Sequence, residues 1–161
     1  METSGVQIVP QGGAAFVYVL DKADRARLLR EAVKALSGLE GLSQIVPVSR
    51  FPKYGVADPA QDPHAPDLIL FAQLGCVFGD TAAGDLPFKD KPERSGSHGH
   101  DPDLPDLKAT FVAWGAGIKP RVELGKISNT SVAPTIAQVL GIPMPTAEGK
   151  PLRKALAAQK Q

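Results

Sequence analysis

With 18 basic and 17 acidic residues among 161, a net charge of +1, the chain has no overall field to gather a polyanion, which excludes a charge-steered partner for nucleic-acid polymers. Its longest apolar runs, Ala14 to Leu20 and Thr110 to Trp114, are strand-sized and too short to cross a bilayer, so no membrane partner is expected. Cys76 is the single cysteine, which rules out an intrachain disulfide and a cysteine-based zinc site.

The length suits one domain, or a small lobe joined to part of a larger one. Met1 to Gly13 has no basic region followed by an apolar core, so it does not read as a secretory signal and the expected location is the cytoplasm. A longer precursor would open secretion or the periplasm instead.

Ala14 to Leu20 (AAFVYVL) is β-branched and aromatic, which predicts a strand, and Asp21 supplies cap chemistry for a following helix. From Ala23 onward Leu28, Leu29, Ala32, Val33 and Leu36 recur at helical spacing, with charged residues between them and Gly38 as a left-handed end. Ser43 to Val48 reads as a second strand that Pro47 confines to a sheet edge or to its last residues. Four prolines between Phe51 and Pro66 predict a surface loop with at most one helical turn near Ser49. Asp67 to Ala72 and Cys76 to Gly79 are expected to form a hairpin about Leu74-Gly75, with Cys76 as a buried apolar residue in a strand. These pieces make a compact antiparallel lobe with one helix.

Asp80 to Pro105 changes character: rich in Gly, Asp, Pro and Lys, with two of the three histidines and no hydrophobic period, it is the expected place for a site. Lys108 to Trp114 (KATFVAW) returns to a buried-strand pattern, the core strand of a larger sheet. Asn129-Thr130-Ser131 offers N-cap chemistry for a helix from about Val132 to Leu140, with Pro134 in its first turn, Gly141 after its end, and Val132, Ile136, Val139 and Leu140 as its buried stripe. The basic tail from Lys150 is expected as a short amphipathic helix or a frayed end.

The chemistry concentrates at Gly96-Ser97-His98-Gly99-His100-Asp101-Pro102. A histidine beside glycine can be carried on a bend that brings it close to an ion, and imidazole is a common zinc ligand, although a loop His-x-His is also commonly solvated or hydrogen-bonded. Asp101 suits a cap on its own turn, and His64, between Asp62-Pro63 and Ala65-Pro66, suits a surface position. Ser97, His98 and Asp101 adjoin in sequence, but adjacency does not make a catalytic triad. The phosphate-loop, dinucleotide-binding and H-E-x-x-H patterns are absent from the sequence.

The run GSHGHDPDLPDLKATFVAWGAGIKP, Gly96 to Pro120, resembles the segment in which type I phosphodiesterases and nucleotide pyrophosphatases of the alkaline phosphatase superfamily place their last zinc-ligand histidine. SNTSVAPTIAQVLGIPMP, Ser128 to Pro145, resembles the helix that follows, and AAFVYVLDKADRARLL and APDLILFAQLGCVFGDTAAG resemble the lobe preceding that histidine. The resemblance implies an α/β fold: an antiparallel β-α-β lid lobe over residues 1–90, then over residues 91–161 the strand and helix of an alkaline-phosphatase-like core. It implies zinc as cofactor, in a two-zinc site to which this chain gives one metal ligand, His98. His100 departs from the aromatic residue usual at its position and is expected to be a partly exposed loop residue.

The family's threonine or serine nucleophile and its remaining ligands precede the matched region, so no catalytic residue is expected here, and the chain alone is expected to be inactive. The expected partners are a small phosphodiester or nucleotide substrate in the complete enzyme and the amino-terminal half carrying the missing groups. The alternative is an inactive remnant or binding module that self-associates or complements a separately encoded amino-terminal half.

Overall fold

The structure, a computed structural model, describes residues 5–79 and 96–158. It is mixed α and β and divides into two compact units, Met1–Lys108 and Ala109–Gln161. The expected lobe boundary at residue 90 falls outside the described residues; the histidine loop belongs to the first unit.

In the first unit, strands β1 (Val6–Gln11), β2 (Ala14–Val19), β3 (Leu42–Pro47) and β4 (Leu68–Ala72) form one antiparallel sheet in the order β1-β2-β4-β3. The central strand β4, LILFA, is buried along its whole length because both faces of the sheet are covered. Side-chain alternation sorts the core into two layers. Ala15, Val17, Leu68 and Leu70 pack under helix α1 (Arg25–Leu36) through Leu29, Val33 and Leu36. Ala14, Val46, Ile69 and Phe71 face Phe51, Val48 and Tyr54 of the 3-10 helix Val48–Tyr54, where the Tyr54 and Phe71 rings lie 5.3 Å apart. Pro47 closes the edge strand β3, as its missing N–H requires.

Strand β1 was not expected from the sequence, since VQIVPQ carries two glutamines and a proline. It pairs with β2 from Val6↔Val19 to Gln11↔Ala14, leaving Gly12-Gly13 as a two-residue turn. Gly12 sits at φ +66, a conformation that glycine adopts without a Cβ penalty.

Several expectations are corrected. Asp21 does not cap α1: its carboxylate accepts from the N–H groups of Ala23 and Asp24, forming a turn before the helix, and Asp24 takes the N-cap position. The helix ends at Leu36, ahead of the left-handed Gly38. Cys76 to Gly79 is not a strand and Cys76 is only half-buried; after a turn in which Cys76 N–H donates to Gln73 O, the chain crosses to the hairpin, where Phe78 N–H donates to Gly12 O. The expected strand from Asp67 starts one residue later, at Leu68; Asp67, just before it, is a buried carboxylate, 1% exposed, accepting from Val19 N–H at 2.6 Å and from Arg25 Nε at 2.5 Å.

The second unit centres on α2 (Val132–Leu140), with Pro134 in its first turn and Gly141 at φ +67 after its end, as expected. No side chain of Asn129-Thr130-Ser131 caps it; these residues form a 3-10 turn. Its buried residues are Pro134, Thr135 and Ala137, whereas Ile136 and Leu140 of the expected stripe are exposed. Thr135 explains the rotation: its hydroxyl donates to Ser131 O at 2.6 Å and accepts from Leu152 N–H at 2.8 Å, so the tail covers that side. The tail has one 3-10 turn, Arg153–Ala155, and Ile118 bridges Leu156 antiparallel. Lys108 to Trp114 forms no strand, and Val112 and Trp114 are exposed. Among the described residues no helix is long and apolar enough to cross a membrane.

Candidate functional site

Three stretches of the first unit converge on the Gly12-Gly13 turn. Gly13 N–H donates to His98 O at 2.6 Å, Gly12 O accepts from Phe78 N–H, and Gly13 O accepts from Ala72 N–H. The turn is thus a junction between the hairpin, the end of β4 and the histidine loop. No side chain could intervene: a Cβ at Gly13 would collide with the His100 ring, and one at Gly99 with Gln11 O. Gly99 also sits at φ +83. The glycine beside His98 therefore has a packing role, seating the loop on the hairpin, that the sequence did not disclose.

His100 is buried, not partly exposed as expected. Its Nε2 lies 2.9 Å from Cys76 O, and because a carbonyl only accepts, Nε2 carries the proton. The ring spans from the loop to the segment after β4 and fills the space above Gly13.

His98 has the opposite environment. Its backbone is held through the Gly13 bond while its side chain is exposed, with Cε1 beside Gly12, and its ring makes no hydrogen bond among the described residues. A solvent-facing imidazole on an anchored backbone can give a ring nitrogen to a cation or a substrate without first breaking an internal bond.

The carboxy end of the loop is tied to β3 and the 3-10 helix. Asp101 Oδ1 accepts from Asp103 N–H at 3.0 Å, capping its own turn as expected, and with the Gln44 side-chain amide oriented so that its nitrogen faces the loop, which satisfies both ends of that amide, Asp101 Oδ2 accepts from that nitrogen at 3.3 Å. The Gln44 amide oxygen accepts from Arg50 Nη1 at 2.5 Å and Nη2 at 2.9 Å. Lys53 forms an ion pair with Asp103, whose carboxylate raises the lysine above its ordinary pKa. Asp101 is thereby engaged with Gln44 and its own turn, and among the described residues Ser97 Oγ reaches only His98 O, at 3.5 Å, so the adjacent Ser97, His98 and Asp101 do not make a triad. His64 is exposed, as expected, with its N–H on the Asp62 carboxylate.

Gln44 and Arg50 were missed as supports of this loop. Gln44 reaches Asp101 from β3 and Arg50 of the 3-10 helix holds Gln44 in turn, both more than fifty residues upstream, and no local pattern announces either. Among the described residues no group of three or more His, Cys, Asp and Glu side chains could enclose a metal ion. His98 fits one donor to such a site, not a complete set. No family model matches the chain, no curated protein matches it, and no solved structure matches it.

Proposed function

We propose that this chain is the carboxy-terminal part of a zinc-dependent hydrolase similar to the type I phosphodiesterases and nucleotide pyrophosphatases, contributing His98 as one metal ligand and no nucleophile. The observation that supports this reading is the contrast between two histidines two positions apart. His100 is buried and bonded to Cys76 O, whereas His98 is exposed, unbonded and carried on a backbone held by Gly13. One imidazole anchors the loop and the other is left for a ligand.

In this reading the zinc pair of the complete enzyme supplies Lewis-acid stabilisation of the transferring phosphoryl group and an activated nucleophile. His98 donates a ring nitrogen, His100 and the glycine contacts set its position, and Asp101 and Asp103 tether the far end of the loop to Gln44 and Lys53. Residues Lys108 to Trp114 and α2 would join an alkaline-phosphatase-like core, and the substrate class is a small phosphodiester or nucleotide pyrophosphate. The remaining ligands and the nucleophile come from polypeptide outside this sequence.

Titration with zinc chloride, followed by NMR of the histidine ring protons, tests the assignment, alongside an assay with a chromogenic phosphodiester and added zinc. The His98 signals should respond at lower zinc than those of His64 and His100, and the chain alone should give no turnover. Zinc acting first on His64 or His100 would overturn the ligand assignment; robust turnover by the chain alone would overturn the account of the missing groups.

A further inference from the structure

The near-neutral total charge is the sum of two unlike units. Ala109–Gln161 carries seven basic residues and two acidic, a net +5, whereas Met1–Lys108 carries eleven and fifteen, a net −4. A balanced total removes long-range steering, but at physiological salt a charge is felt over only about 8 Å, so a partner in contact meets the local surface. Among the described residues the four ion pairs all lie in the first unit, while Lys119, Arg121, Lys126, Lys150, Arg153 and Lys154 of the second are exposed without a carboxylate partner.

Four of these cations are gathered on one ribbon. Ile118 bridges Leu156 antiparallel, with Lys119 N–H donating to Ala155 O and Ala157 N–H to Gly117 O, each at 2.8 Å. The Lys154 ammonium donates to Glu123 O at 2.8 Å, which ties the stretch beyond Arg121 to the same tail. Lys119 and Arg121 are thereby set against Arg153 and Lys154, with Glu123 as the one acidic residue in the two segments. Arg121 follows Pro120 at φ +56, the one non-glycine residue at positive φ among the described residues. Glycine would hold that turn without a Cβ penalty, so the backbone gives no reason for an arginine there. What the position gains is an exposed guanidinium.

We propose that this ribbon binds the phosphodiester backbone of nucleic acid, through contacts that do not read sequence. The choice among polyanions rests on what the ribbon lacks. The large apolar residues exposed on the second unit are Val112, Trp114, Ile136, Leu140, Ile142 and Met144, and none lies within residues 117–126 or 150–158. A membrane-surface binder sets aromatic or aliphatic side chains among its cations to enter the acyl boundary. A protein interface centres on a buried aromatic or aliphatic anchor. Backbone phosphates need neither: they take Lys as a point charge and Arg as a two-pronged donor, and the counterions released on contact supply the affinity. The same lack of aromatic residues leaves no platform for base stacking, so the ribbon does not discriminate between sequences. The proposal is independent of the hydrolase reading, since it uses neither His98 nor zinc.

Fluorescence anisotropy of a labelled mixed-sequence DNA duplex, titrated with the full chain over a range of salt, tests it. Binding should fall with salt along a log–log slope of about −3 to −4, as for four phosphate contacts at about −0.9 each. Arg121→Gly keeps the left-handed turn, so its expected effect, a slope shallower by about one unit, cannot come from misfolding. Adding Arg153→Gln should remove about one unit more and weaken binding at low salt by on the order of a further tenfold. Lys34→Gln, on the exposed side of α1 in the first unit, should leave both affinity and slope in place. A slope no steeper than about −1, or equal losses from Lys34→Gln and Arg121→Gly, overturns the proposal. So does tighter binding to vesicles of phosphatidylserine and phosphatidylcholine in equal parts than to the duplex, which would assign the ribbon to a membrane. Displacement of the duplex by polyglutamate at equal charge concentration overturns it as well, in favour of an acidic protein.

Discussion

The ring of His100 occupies the space that a side chain at residue 13 would need, and its Nε2–H reaches past the turn to the carbonyl of Cys76, 2.9 Å away. The histidine loop and the Gly12-Gly13 hairpin are therefore packed as one object, and the sensitivity of each to substitution follows from the other.

Gly13→Ala should destabilise the first unit by about 1–3 kcal/mol, the usual range for forcing extra volume into a packed site. Gly99→Ala should cost at least as much, because it adds a positive-φ penalty to the collision with Gln11 O. Urea unfolding of the two variants checks this. Gly38→Ala, where a Cβ meets nothing within 4 Å, carries only the φ +80 penalty and should cost less than either.

The two histidines should separate cleanly in stability and in metal response. His98→Ala should change unfolding free energy by no more than about 0.5 kcal/mol, as for other exposed residues. It should abolish the zinc response. His100→Ala should cost about 1–3 kcal/mol, since it leaves Cys76 O without its donor and empties the space above Gly13. Thermal melts with and without zinc measure both, and a large loss of stability from His98→Ala would show that its ring is structural.

Asp67→Ala should be among the most damaging single substitutions in the first unit. It strips a buried acceptor from Val19 N–H and removes the partner of Arg25, whose side chain is 35% exposed and can turn to water. The expected cost is about 2–4 kcal/mol, below that of an enclosed ion pair because Arg25 keeps access to solvent. Asp67→Asn should recover part of it, since the amide oxygen still accepts from Val19. Equal losses from both would mean that the charge, not the hydrogen bond to Val19, carries the effect.

The Lys53 and Asp103 ion pair adds a pH dependence with a definite sign. The folded state raises the pKa of Lys53, through its bond to Asp103, so it binds the lysine proton more tightly than the unfolded chain does. The contribution is fully present below the unfolded lysine value and is lost as pH rises through the raised one. Lys53 is exposed, so the effect should be small and weaken further in salt. Stability of wild type and Lys53→Met should therefore differ at neutral pH in low salt and converge in strongly alkaline buffer.

Much of the first unit could be read from residue order alone, because the relevant forces act over a few residues. The apolar run at Ala14, the 3.6-residue spacing from Leu28 to Leu36, and Pro47 at the end of an edge strand each carry their own signal, and all three stand in the structure. Pro134 and Gly141 bracket α2 for the same reason. Asp101 caps its own turn because its carboxylate reaches the N–H two residues on.

What failed were the assignments that depend on a surface the segment does not itself contain. Strand β1 exists because β2 offers it a partner through a two-glycine turn, not because VQIVPQ is a strong strand former. Lys108 to Trp114 is a strong strand former, but no described strand pairs with it, so among the described residues the backbone groups from Ala109 to Trp114 make no hydrogen bond. The buried side of α2 was decided by the tail, through Leu152 on the Thr135 hydroxyl, and not by the positions of its largest apolar residues. The two histidines show the division most sharply. Composition marked Gly96 to Pro102 as the place for chemistry, whereas the burial of one ring and the exposure of the other were set by what each met in three dimensions: Cys76 and Gly13 for His100, open water for His98.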